Sequence, residues 1–132
     1  MLRLELPYPI SVNHMWGYFR GRPVLTGRAR AYRRRVAAIL LAARVRPILG
    51  PLAVCIELHP PDHRKRDCDN AQKALLDALQ HGGAFLDDAQ VVWLLTIKCR
   101  PTAESGKAVV SIVRFGEEPL PLPGANVHLQ VG

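Results

Sequence analysis

The sequence predicts a mixed α/β (α+β) domain with the element order β-α-β-α-β-β, and three observations predict it. First, 52-LAVCIELH-59 alternates Leu52, Val54, Ile56 and Leu58 at the two-residue period of a half-buried strand. Second, two stretches, 26–45 and about 70–80, carry apolar residues at helical spacing. Third, two further strand-like runs, 90–98 and 107–115, follow the second helix. At 132 residues the chain is most simply one domain, large enough to bury a real core. The pattern is that of a mixed four-stranded sheet covered by two helices. The domain is expected over 1–115, and 116–132 reads as a proline-rich C-terminal tail.

Taken in order, 2-LRLEL-6 alternates and gives a short first strand. In 7-PYPISVNHMW-16 two prolines, a serine and an asparagine point to a loop. The first helix, 26-TGRARAYRRRVAAILLAARV-45, has Thr26 as N-cap and a stripe of Tyr32, Val36, Ile39, Leu40 and Ala43. Arg30, Arg33 and Arg34 fall outside that stripe as a basic outer face. Leu41 also points away, which fits a second packing contact or a dimer surface. Pro47, Gly50 and Pro51 stop the helix.

The loop 60-PPDHRKRD-67 leads into a second helix from about Asn70 to Gln80, closed at 81-HGG-83 where glycine accepts the left-handed conformation. The last two strands, joined by 100-RPTAESG-106, are expected to pair as a hairpin. The tail, 116-GEEPLPLPGANVHLQVG-132, has no helical period and is expected to be disordered or to lie on a partner subunit.

Composition narrows the class. Hydrophobic residues make up 48% and mean hydropathy is near zero, as in a soluble globular protein. No apolar run is long enough to span a bilayer, and no signal or transit peptide is visible, so a cytoplasmic location is expected. Cys55, Cys68 and Cys99 lack the spacing of a disulfide framework or a zinc site. Eighteen Lys+Arg against eleven Asp+Glu give +7, with Arg far more common than Lys. That balance favours an anionic partner, and nucleic acid first, because guanidinium groups bind phosphate bidentately.

Against this basic background, 64-RKRDCDNAQKALLDAL-79 ends its basic run in two acids. On a helix at 100° per residue, Ala71, Leu75, Ala78 and Leu79 form the apolar side. Asn70, Lys73 and Asp77 lie on the other side, with Asp69 near them. One reading is structural: Asp69 caps the helix and pairs with Lys73 at i, i+4, worth roughly 1 kcal/mol. The other is a metal site. In 84-AFLDDAQVVW-93, Asp87 and Asp88 stand before the third strand, where a compact α/β topology can bring them near Asp67 and Asp69. Converging carboxylates repel unless a cation sits among them, and oxygen donors of this kind suit Mg²⁺ or Mn²⁺ meeting a substrate phosphate. Lys73 would add positive charge at the transition state, and Arg64, Lys65 and Arg66 would hold a nucleic-acid backbone.

The run 66-RDCDNAQKALLDAL-79 followed by 86-LDDAQVV-92 closely resembles the RusA family of Holliday-junction resolvases, and 7-PYPISVNHMW-16 resembles that family's proline-rich N-terminal signature. The likeness runs from about Leu4 to Phe115. Its signature of Arg-Asp-x-Asp-Asn, a Lys three residues on, and a paired Asp before a strand is met by Arg66, Asp67, Asp69, Asn70, Lys73, Asp87 and Asp88. The resemblance implies that Asp67, Asp69 and Asp88 are catalytic metal-binding carboxylates and Lys73 a catalytic lysine. It places Arg66 at the DNA or at the site, and leaves Asp87 as a further candidate ligand. It also implies a homodimer, an Mg²⁺ requirement (Mn²⁺ as a substitute), and paired nicks in four-way DNA junctions leaving 5′-phosphate and 3′-hydroxyl ends. Ile10 stands where the family often has a second proline, and the tail departs from the family pattern.

Asn13, His14, Trp16 and Arg20 complete the expected DNA-binding set with Arg64, Lys65, Arg66 and Asn70. Trp16 is the aromatic best placed to stack on an unpaired base. Trp93 is expected in the core. His59 and His63 are expected as surface loop histidines near the DNA path, for want of a third N or S ligand. The alternative function is a non-catalytic basic nucleic-acid-binding protein. Against it, carboxylates beside a phosphate path oppose binding and help only catalysis.

Overall fold

The computed structural model describes residues 1–102, 105–124 and 127–130. Strand β1 (Leu2–Pro7) is followed by a short 3₁₀ turn at Val12–His14 and by a hairpin of β2 (Trp16–Phe19) and β3 (Arg22–Leu25). Helix α1 (Gly27–Ala42), strand β4 (Leu52–His59) and helix α2 (Cys68–His81) come next. A second 3₁₀ turn at Asp88–Gln90 then precedes β5 (Val91–Lys98) and β6 (Lys107–Arg114).

The main sheet is four-stranded and mixed, in the order β1-β6-β4-β5. Strand β5 runs parallel to β4, as the α2 crossover between them requires, and β6 is antiparallel to both β4 and β1. The expected β5–β6 hairpin is therefore wrong. Six consecutive residues of β6, Ala108 to Val113, are buried on both faces, whereas β5 alternates partly buried and exposed positions at its start. A strand buried on both faces belongs inside a sheet, so β6 leaves its sequence neighbour on the edge and inserts between β1 and β4.

The two helices cover one face of the sheet. Leu52, Val54, Ile56 and Leu58 of β4 join Val110 and Ile112 of β6, Tyr32, Val36 and Leu40 of α1, and Leu75 and Leu79 of α2 in one core. Helix α1 keeps the expected Thr26 cap, whose hydroxyl accepts from the Ala29 amide at 3.2 Å. It ends at Ala42, short of Val45, where Arg44 takes a left-handed φ of 55°. Leu41 is exposed as expected. Arg33 is not free on an outer face: its guanidinium meets Asp77 of α2 at 2.7 Å, tying the helices together.

On the opposite face of the sheet, Ala53, Cys55, Glu57, Ser111 and Val113 are buried as well. The segment after β6 is anchored at both ends of this sheet. Glu118 pairs with the Met1 amino group at 3.1 Å, and residues 128–130 pair with Lys98–Arg100 beyond the end of β5. Pro121, between these anchors, is buried. Burial also pushes the Cys55 thiol up to about 11, so it is inert at neutral pH. Trp93 is only half-buried on the edge strand rather than in the core. His59 ends β4, largely buried, with Nε2 3.7 Å from Glu57 Oε1, so it is not a surface loop residue; His63 is exposed.

Between the loop read at 7–16 and α1 stands the β2–β3 hairpin, which the sequence reading did not assign. Its register pairs Trp16 with Leu25, Tyr18 with Pro23 and Phe19 with Arg22. Its base is fixed by Met15, which packs with Ala29 of α1 and Ala74 of α2. The proline segment leading to it is pinned by the Tyr32 hydroxyl, which donates to the Pro7 carbonyl at 2.8 Å.

Candidate active site

Helix α2 begins at Cys68, two residues earlier than its apolar pattern suggests, and this reassigns the acids at its start. Asp67 occupies the N-cap position in extended backbone, yet its side chain makes no capping hydrogen bond. Asp69 lies inside the first turn, where Oδ1 accepts from the neighbouring Asn70 amide at 3.1 Å. The expected Asp69 cap is therefore incorrect. So is the expected Asp69–Lys73 pair: Lys73 Nζ faces Asp88 Oδ2 at 3.9 Å. Both acids at the helix start sit where the macrodipole favours negative charge, and neither is used up in holding the helix.

The basic approach is held by a compact set of bonds. Asp62 Oδ1 accepts from Arg66 at 2.7 Å and from the Arg64 amide at 2.9 Å. The Arg66 hydrogen bond first, then the Arg64 amide, hold the Asp62 carboxyl at about 2. Arg66 also donates to the Asp62 and Arg64 carbonyls and stands 5.7 Å over the Tyr8 ring. Burial pushes the Tyr8 phenol up, with Arg66 pulling it down. Arg66 is thus largely committed to shaping the loop. Arg64, whose Nε lies 3.7 Å from Asp62 Oδ2 but whose side chain is 85% exposed, and Lys65 remain open to a phosphate. From the far side, Lys98 at the end of β5 donates to the Arg66 carbonyl at 3.1 Å, fixing the residue just before Asp67.

This loop and the N-terminal segment enclose a groove of about 600 Å³. Asn13, His14, Arg64, Lys65, Arg66, Asp67 and Asn70 all line it, so seven expected site residues share one surface. Trp16 and Arg20 are outside it, on the projecting hairpin. Lys73 and Asp88 line a separate, smaller recess with Gln72, Leu76 and Val92 on the other side of α2. Asp87 is engaged structurally: its Oδ1 accepts from the Ala89 amide at 2.8 Å, in a capping box with Gln90. Asp88 is held by its amide, which donates to Gln80 Oε1 at 2.9 Å.

Among the described residues, no three His, Cys, Asp or Glu side chains are gathered closely enough to enclose an ion. The chemistry of the donors still suits a hard divalent cation. Asp67 and Asp69 are exposed oxygen donors at one helix start, and a cation that keeps several waters does not need an all-protein cage.

Sequence reasoning missed Arg28 and Tyr8 as groove walls and Lys98, Gln80 and Gln90 as supports. The Asp87-x-x-Gln90 spacing is a readable capping box. Lys98 carries no local signal, because its contact exists only once β5 lies beside the 62–67 loop.

Two exposed carboxylates at a helix start, one of them, Asp67, opening on an arginine-lined groove beside a mixed sheet, fit an acidic-site nuclease domain. Comparison with known proteins makes this specific. The family described as endodeoxyribonuclease RusA matches residues 7–112. The crossover junction endodeoxyribonuclease RusA of Escherichia coli strain K12 is 40% identical over 116 residues, covering 87% of this chain and 96% of that protein. Proteins of the same name from Enterobacteria phage 82 and Shigella sonnei match to the same extent. The chain belongs to the RusA family of endodeoxyribonucleases.

Proposed function

We propose that this protein is a crossover junction endodeoxyribonuclease that nicks four-way DNA junctions as a homodimer, with Mg²⁺, or Mn²⁺ in its place, at Asp67 and Asp69, and with Asp88, which lines the neighbouring recess beside Lys73, drawn to the same ion when DNA and metal bind. The observation that carries the reading is the Asp67 carboxylate, which sits at a helix start without a capping bond and opens on a groove walled by Arg28, Arg64, Lys65 and Arg66. A cation held by these carboxylates would supply charge neutralisation at the scissile phosphate. Arg64 and Lys65, solvent-exposed, bind the flanking backbone, while Arg66, bonded to Asp62, keeps the loop in shape. Asn70, Asn13 and His14 line the path of the strand. Lys73, released from Asp88, brings positive charge to the phosphate as negative charge develops there; its loss should cost about 10²–10³ in rate, as for a single oxyanion donor. In a two-fold dimer, two copies of this site would address opposed strands, giving paired nicks with 5′-phosphate and 3′-hydroxyl ends.

The alternative, a basic binding protein without catalysis, draws on the open spacing of the acids. A synthetic mobile junction incubated with the protein in Mg²⁺ and in EDTA separates the two. Symmetric nicking that is lost in EDTA and in Asp67→Asn is the expected outcome, with junction affinity in EDTA unchanged or higher in the variant, because a repelling charge is removed. Binding without nicking in any divalent metal would leave only the binding reading.

A further inference from the structure

We infer that the β2–β3 hairpin is a base-stacking prong that docks against the unpaired faces of the base pairs at a DNA branch point. This rests on the junction-nuclease reading and adds to it the element that recognises the branch.

The hairpin exposes what a folded domain ordinarily hides. Trp16, Tyr18 and Phe19 are 53%, 81% and 63% exposed, three of the eight aromatics in the chain, all on one four-residue strand. Trp16 and Tyr18 alternate onto one face of the ribbon and Phe19 onto the other, so the tip is aromatic on both sides. Among the described residues the hairpin is packed at its base, through Met15 and Leu25 against Ala29 and Ala74. Apolar rings concentrated on a projecting ribbon mark an interaction surface.

Charge selects the partner. From Leu6 to Ile56 the chain has nine arginines and no Asp or Glu. Two of them flank the tip: Arg20, 5.3 Å over the Phe19 ring, and Arg22 opposite Phe19. Arg20 and Gly21 form the turn with φ of 51° and 75°. The first turn position thus holds a long cationic side chain, where Asn, Asp or Gly fits the backbone better. Aromatic rings interleaved with unopposed guanidinium groups match nucleobases flanked by phosphates.

The geometry selects the branch point over plain duplex. Inside a duplex both faces of every pair are stacked, and a ring reaches them only by unstacking a step at a cost of a few kcal/mol. At a four-way crossing the flanking pairs meet a discontinuity, and a ring can take the missing place. The prong stands on Ala74, the residue after Lys73, so a ring seated at the branch would fix its distance from the reactive phosphate.

The test uses the full-length protein in EDTA on uncut junctions carrying 5-iododeoxyuridine, which photocross-links to stacked aromatics, either at the branch point or well into one arm. The expected result is a branch-point adduct mapping to Trp16, Tyr18 or Phe19 and none from the arm probe. Tyr18→Ala with Phe19→Ala should weaken junction binding about fivefold or more while changing linear-duplex binding little, and Tyr18→Phe should keep both adduct and affinity. Adducts elsewhere in the chain, or unchanged junction affinity in the double variant, would overturn the proposal. So would a double variant whose main change is a lower sedimenting mass, which would assign the hairpin to a second copy of the chain. Nicking by the unaltered protein in Mg²⁺ is read in parallel. Nicking without the adduct removes the prong alone, whereas an adduct without nicking in any metal removes the nuclease reading and keeps the prong.

Discussion

Replacing Gln90 by alanine removes one side chain that closes four hydrogen bonds around the turn presenting Asp88. Its Oε1 accepts from the Leu86 and Asp87 amides at 2.9 and 3.0 Å, and its Nε2 donates to the Ile48 and Gly50 carbonyls at 2.9 Å each. A net hydrogen bond contributes about 0.5–1.5 kcal/mol, and water can replace the exposed ones, so the loss should be about 2 kcal/mol. For a domain of this size that is a fall in Tm of roughly 8 °C. Calorimetry or thermal circular dichroism measures it. Gln90→Glu sharpens the test: one oxygen still accepts from the two amides, but the other faces two carbonyls and repels them. At neutral pH it should therefore be at least as unstable as the alanine variant. Nicking of a junction should fall with binding in EDTA preserved, because the Asp87–Asp88 turn loosens while the groove stays intact. A Tm within 1 °C of the unaltered protein would refute the reasoning.

Two further outcomes are expected. The Asp62 carboxyl is held at about 2, below its ordinary 3.8, by Arg66 and the Arg64 amide, so this link adds stability above about pH 4 and loses it as pH falls toward 2. Urea midpoints of the unaltered protein and Asp62→Asn should thus differ by a constant amount near neutrality and converge between pH 4 and pH 2. Gly106→Ala and Gly83→Ala form a matched pair, since both glycines have φ near +88°, at +87° and +88°. A Cβ at Gly106 would stand 2.9 Å from the His59 carbonyl oxygen and from Pro61 N, while at Gly83 nothing lies within 4 Å. Gly83→Ala should cost about 1–2 kcal/mol and Gly106→Ala about 1–3 kcal/mol more, read from denaturant midpoints.

What could be read from the sequence was whatever local spacing encodes. Strand β4 was legible to the residue, because Leu52 to Leu58 alternate without interruption. Both helices were legible from their apolar spacing. Strand order was not: β5 and β6 follow one another, and only the two-sided burial of β6 separates them in space. The β2–β3 hairpin escaped because Arg20-Gly21 lacks the usual Asn-Gly or Asp-Gly cue and Pro23 interrupts the second strand. The start of α2 was misplaced because Cys68 and Asp69 look like loop residues until the helix is seen to begin beneath them. Lys98 and Gln80 act through long-range or backbone contacts that no local pattern reveals.

The pairing of residues 128–130 with the end of β5 has a consequence for how this molecule meets others. Gln130 donates to the Lys98 carbonyl at 3.0 Å, and Arg100 donates to the His128 carbonyl at 2.9 Å, on the side of β5 turned away from β4. An open sheet edge is a template on which a foreign strand can grow, and here its far end already has a tenant from the same chain. Among the described residues, the stretch of β5 nearer Val91 has no such tenant. A chain cut short after Phe115 would bare that far end as well, leaving a longer open edge on which a foreign strand could pair.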